Sequence, residues 1–116
     1  MPEQQGVAEL LAAERAGTMQ RLAELEREFA GIVEAAASAN TDDEHDPEGA
    51  TIAFERQHTA ALLDQARQHL AQIDAAMHRL ADGSYGTCEN CGEPIGAARL
   101  AARPVAATCI NCAARR

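Results

Sequence analysis

The chain has 116 residues and is nominally 47% hydrophobic, yet 27 residues are alanine and only 3% are aromatic, so it cannot fill a thick globular core. Its formal charge of -8, with ten arginines, no lysine and 18 carboxylates, argues against binding DNA or RNA through a basic face. No stretch approaches the roughly 20 apolar residues of a membrane span, and Met1-Pro2-Glu3-Gln4-Gln5 lacks a secretory pattern, which leaves a cytoplasmic setting as the expectation.

Composition changes near residue 83. Residues 1–82 carry a net charge of -10, whereas residues 83–116 carry +2, four of the eight glycines and all four cysteines. Alanine favours helix and clustered glycine favours turns. The expected fold class is therefore mainly α: a long antiparallel helical hairpin over 1–82 and a small cysteine-bearing module over 83–116.

The first helix is read from Leu22, Leu25, Phe29, Ile32 and Ala36, whose alternating three- and four-residue spacing lines one seam. Val7 and Leu11 extend that seam towards the start, with Arg15 and Thr18 weakening its middle. Next comes Thr41-Asp42-Asp43-Glu44-His45-Asp46-Pro47-Glu48-Gly49, with five carboxylates among nine residues. We read residues 40–49 as an acidic tip, with Asp46-Pro47 starting the second helix: the aspartate caps free N–H groups and the proline occupies the first turn. The second seam runs through Ile52, Leu63, Ala66, Leu70, Ile73, Met77 and Leu80. A short connection favours antiparallel neighbours. Folding the chain about residues 44–45 sets Val7 opposite Leu80, Leu11 near Met77 and Phe29 near Leu63, and it brings the cysteine module beside the start of the first helix and the end of the second.

In that module, Cys88-Glu89-Asn90-Cys91 and Cys109-Ile110-Asn111-Cys112 are separated by seventeen residues. This spacing suits a four-thiolate zinc site, because two residues between cysteines let one tight turn present both sulfurs to a tetrahedral metal. Gly92 follows the first pair, where such a turn calls for positive φ. Four cysteines leave no open coordination position, so the expected Zn²⁺ is structural, at Cys88, Cys91, Cys109 and Cys112. Disulfides are the weaker reading for a chain without a secretory pattern. Arg99 and Arg103 are candidates to soften the thiolate field or to meet an external anion.

These residues carry a resemblance. Gly83-Ser84-Tyr85-Gly86-Thr87-Cys88-Glu89-Asn90-Cys91-Gly92-Glu93-Pro94-Ile95-Gly96, then Arg99-Leu100-Ala101-Ala102-Arg103-Pro104 and Cys109-Ile110-Asn111-Cys112, resemble the zinc finger of the DksA/TraR family, closely over residues 80–112. The resemblance implies a bacterial transcription regulator that binds RNA polymerase rather than DNA. It places the coiled coil in the secondary channel, with the tip residues Asp42, Asp43, Asp46 and Glu48 facing the polymerase. Several members of the family act together with ppGpp. Asp46 matches the first aspartate of the family's D-x-x-D-x-A tip motif, but Gly49 stands where the second belongs. The expectation is that polymerase binding persists while the regulatory output differs. Arg99 and Arg103 match family arginines near the ppGpp site, whereas Gln72 falls at a helical lysine position, which counts against ppGpp responsiveness.

Other patterns carry less. His58, His69 and His78 have no compact ligand spacing and read as polar helix positions. The alternating acids from Asp42 to Glu48 lack the later glycine and glutamate of a calcium loop. No catalytic constellation, P-loop or dinucleotide motif is present, so the chain is not expected to be an enzyme. Two competing functions remain. One is a zinc-thiolate redox sensor, marked by zinc release under mild peroxide. The other is a helical scaffold for some other protein, marked by an interaction screen that lacks polymerase subunits.

Overall fold

A computed structural model describes residues 2–38 and 47–115, and its elements are all helical. They are α1 (Pro2–Ser38), α2 (Pro47–Asp82), α3 (Ala97–Ala102) and α4 (Ile110–Ala114). Asp42, Asp43 and Asp46, with the side chain of Glu48, lie outside the described residues. Helix α2 begins at Pro47, where the fixed φ of proline suits a first turn. Its end is equally explicit. Gly83 adopts φ +84, and the Ser84 and Tyr85 N–H groups both return to the Arg79 carbonyl, at 2.9 and 3.1 Å. No described helix is long and apolar enough to cross a membrane.

Asp82 completes this stop. Its Oδ1 accepts from the Ser84 hydroxyl at 2.6 Å and from the Ser84 N–H at 3.0 Å. These two bonds hold its pKa below the ordinary 3.8. The stabilisation is therefore fully present above the unfolded-state value and is lost as pH falls through the lowered folded one. Asp82→Asn is expected to flatten the acid limb of thermal stability below pH 4 or so, because the variant is the less stable protein at neutral pH and converges with the parent on acidification, as read by melting across a pH series.

The chain groups into two compact units, Met1–Ala16 with Leu70–Arg116, and Gly17–His69. Each pairs a stretch of α1 with a stretch of α2. In the first unit Leu11, Ile73 and Ala76 are fully buried, and Val7, Met77, Leu80, Tyr85 and Val105 pack around them. The partners expected from folding about residues 44–45, Val7 with Leu80 and Leu11 with Met77, thus share one cluster. Arg15, which interrupts the apolar seam, sends its Nε to Asp74 Oδ1 at 2.7 Å. Both side chains stay more than 40% exposed, so solvent screens the pair, which serves mainly to let a charge sit beside the seam.

In the second unit Leu25, Leu63 and Ala66 form the buried cluster, flanked by Leu22, Phe29 and Leu62. The pairing is antiparallel: Phe29 lies under the Arg56 guanidinium, while Glu26, earlier on α1, faces Arg67, later on α2. Thr59 is also buried, at 3% exposure. It sits four residues before Leu63, so a polar residue fills a seam position between Ile52 and Leu63 that the apolar pattern left blank.

Candidate metal centre

The module after α2 is built from turns. Thr87 and Pro94 form an isolated antiparallel bridge. The Ile95 N–H donates to Gly86 O at 2.8 Å, and the Cys88 N–H to Glu93 O at 2.8 Å, which closes a small loop around the first cysteine pair. Gly92 sits in that loop at φ +79, the left-handed conformation its position after Cys91 called for. At the second pair Cys109 is the N-cap of α4, and its sulfur accepts from the Cys112 N–H at 3.5 Å.

The two loops bring Cys88, Cys91, Cys109 and Cys112 together, with all four sulfurs within 4.8 Å of one another. Cys91 Sγ and Cys109 Sγ are 3.8 Å apart. A disulfide needs about 2.05 Å, so this is no bonded pair. A tetrahedron with metal–sulfur bonds of about 2.3 Å has edges of about 3.8 Å, which is the separation seen. The donor set is thus of the right type, number and spacing to hold a metal ion.

Its electrostatics point the same way. N–H groups of Cys109 and Cys91 pull the Cys88 thiol down to about 6 against the effect of burial. The Cys112 N–H likewise lowers Cys109. Cys91 goes the other way: the Glu93 N–H favours its thiolate, but hydrogen bonding with Cys88 and burial prevail and push it up to about 12. Backbone donors therefore stabilise some thiolates, while the crowding of sulfurs makes a full set of four anions unfavourable without a cation among them.

Cys88 and Cys109 also belong to the packing here. Together with Ile95 and Ala106 they make up the buried cluster of the module, with Leu100 and Cys112 partly buried against it. Gly86 is required by its backbone, at φ +89; a Cβ there would only touch Leu100 Cδ1 at an ordinary 3.6 Å.

Arg99 and Arg103 occupy different surroundings. Arg99 Nε donates to the Thr108 carbonyl at 2.9 Å, just ahead of Cys109, so part of its guanidinium braces the second loop. Arg103 is exposed. Both line a cavity of about 590 Å³ whose wall includes Gln72, Arg79 and Glu89. Two residues to which the sequence analysis gave no contact also act here. Arg79 Nη2 donates to Val105 O at 3.2 Å, and the Tyr85 hydroxyl donates to Pro104 O at 2.8 Å. Burial pushes the Tyr85 phenol up, which keeps it protonated as that donor. Their acceptors are main-chain carbonyls, which leave no pattern in a sequence.

Fold and site together define a helical protein that carries a four-cysteine metal-binding module. Residues 83–116 match the model of the prokaryotic dksA/traR C4-type zinc finger. Of the curated relatives, "RNA polymerase-binding transcription factor DksA" from Caulobacter vibrioides is 58% identical over 43 residues, which is 37% of this chain and 30% of that one. The protein of the same description from Escherichia coli K12 is 41% identical over 49 residues, 42% of this chain and 32% of that one. The matched stretch thus spans about a third of these relatives. The solved structure of transcription factor DksA2 from Pseudomonas aeruginosa aligns over 99% of this chain and 83% of its own, with a TM-score of 0.81 and 30% identity. The chain belongs to the DksA/TraR family.

Proposed function

We propose that this protein is a non-enzymatic, cytoplasmic transcription regulator that binds RNA polymerase directly. In this reading residues 83–116 form a finger around one structural Zn²⁺ held by Cys88, Cys91, Cys109 and Cys112. Residues 1–82 form the helical pair that presents the acidic tip, Asp42, Asp43, Asp46 and Glu48, to the secondary channel. The observation that carries the proposal is the likeness to DksA2 along 99% of the chain, which reaches beyond the finger to the paired helices. The charge supports it, since -10 on residues 1–82 suits a positively charged channel and repels nucleic acid. When bound, Zn²⁺ supplies a fixed tetrahedral anchor and no reactive position, because four thiolates fill its coordination.

The cavity lined by Arg99, Arg103 and Arg79 is where an anion would meet this finger. Gln72 on its wall supplies no positive charge where responsive members of the family have a lysine, so we expect little dependence on ppGpp.

The test is association of the zinc-loaded chain with its cognate polymerase, by pull-down and native mass measurement, followed by transcription in vitro with and without ppGpp. A stable complex and an altered transcript yield support the proposal; absence of a complex overturns it. Asp46→Asn separates the tip from the body. It is expected to leave folding within about 1 kcal/mol and polymerase binding intact, while abolishing the effect on transcription. Unchanged promoter output would assign Asp46 to helix capping alone.

A further inference from the structure

The segment that joins α3 to the second cysteine pair forms no helix or strand, yet the carbonyls along it are satisfied one after another. Arg103 O accepts from the Ala106 N–H at 3.0 Å. Pro104 O takes the Tyr85 hydroxyl at 2.8 Å. Val105 O takes Arg79 Nη2 at 3.2 Å, and the same nitrogen lies 3.5 Å from Ala106 O. Ala107 O accepts from the Glu89 N–H at 2.9 Å. Thr108 O takes Arg99 Nε at 2.9 Å. Backbone groups that lack a ladder must find other partners when water is shut out, and here those partners define the path of the strap that delivers Cys109.

The donors are not equivalent. Glu89 and Arg99 belong to the module itself, on the first cysteine loop and on α3. Arg79 stands on α2, so its contacts tie the strap to a long helix. Its Nε is buried without a hydrogen-bond partner, a cost that the fold carries while keeping the guanidinium over Val105 and Ala106. Ala106, the residue beneath this clamp, packs in the same buried cluster as Cys88 and Cys109. A displacement of the strap at Val105–Ala106 is therefore felt at the sulfurs through direct packing as well as along the chain.

We propose that Arg79 is a positioning residue for the metal centre. Clamping residues 105 and 106 to α2, it sets Cys109 and Cys112 in register with Cys88 and Cys91, and it makes metal retention depend on the paired helices. The proposal rests on the reading of the four cysteines as Zn²⁺ ligands. Tyr85, one carbonyl earlier on the same strap, assists without contributing charge.

The experiment compares Zn²⁺ release to a chromophoric chelator from the full-length protein, from Arg79→Met and from Tyr85→Phe, with the far-ultraviolet helix signal followed alongside. Arg79→Met is expected to release zinc about tenfold faster and Tyr85→Phe about threefold faster, both with the helix signal unchanged, as for other groups that orient metal ligands from a distance. Release from Arg79→Met at the parental rate overturns the proposal. So does acceleration in Arg79→Met that comes with loss of helix while Tyr85→Phe releases zinc at the parental rate. A parental protein that holds no zinc overturns the ligand reading itself, and is told apart from the other outcomes before any variant is measured.

Discussion

Replacing Cys88 with serine is expected to abolish stoichiometric zinc binding and to unfold the module after α2 while the helices persist. The size of the effect follows from what the module has without metal. Its buried cluster consists of Cys88, Ile95, Ala106 and Cys109, so half of the buried residues are themselves the proposed ligands. Ile95 alone brings a large side chain of the kind that holds small domains together. Apparent zinc binding free energies in small finger peptides run to about 10 kcal/mol or more at neutral pH, and in such modules binding energy is folding energy. Hydrogen exchange reads the outcome directly. The N–H groups of Cys88, Glu89, Gly92, Ile95 and Ala106 donate to carbonyls inside the module and should lose protection, whereas amides in the middle of α1 and α2 should keep theirs. A strong chelator should reproduce the result in the unaltered protein. Acidification should do the same, because each ligand must be a thiolate and protons compete with the metal as pH falls. A Cys88→Ser protein that keeps one zinc and a protected module would refute the ligand assignment.

The same residues explain what the sequence disclosed and what it withheld. Seam positions at helical spacing and cysteine pairs at knuckle spacing are local patterns, so Leu11 with Met77, Phe29 with Leu63, and the gathering of four sulfurs could all be read in advance. Thr59 was not visible, because its burial comes from the position of α2 against α1 and its side chain breaks the apolar pattern. Arg79 and Tyr85 were missed for a different reason. What they recognise is main-chain oxygen, and any residue at Pro104, Val105 or Ala106 would offer the same acceptor. Arg99 shows the converse: its type suggested a charge that softens the thiolate field or meets an external anion, and no pattern announced the bond its Nε makes to Thr108 O. The short helices α3 and α4 were also unforeseen, since six and five residues give too few turns for a periodic signal.

Truncating the seam should have the second large effect. Leu11 and Ile73 are both at 0% exposure and share one cluster, so Leu11→Ala or Ile73→Ala is expected to cost about 2–5 kcal/mol, as a lost transfer term plus the cavity left behind. For a chain of 116 residues that is a large share of a total on the order of 6–17 kcal/mol. The two substitutions should not add, because each enlarges the same space, and a double-mutant cycle by denaturant unfolding would read the coupling. Phe54→Ala supplies the contrast: Phe54 is 70% exposed, so its removal should change stability by less than about 0.5 kcal/mol despite its size. Ala76 probes the opposite limit. It too is at 0% exposure in this cluster, so its methyl group fills a place with no room for more. Ala76→Leu is expected to cost about 1–3 kcal/mol through overpacking, even though leucine suits a helix well and would add apolar area. Tyr85 and Val105, which come from beyond α2, pack in the same cluster, so forcing the seam apart should also loosen the module that holds the cysteines. Zinc release measured on Ala76→Leu would then rise together with its loss of stability, whereas zinc release unaffected by a destabilised seam would show that the metal centre holds without support from the helices.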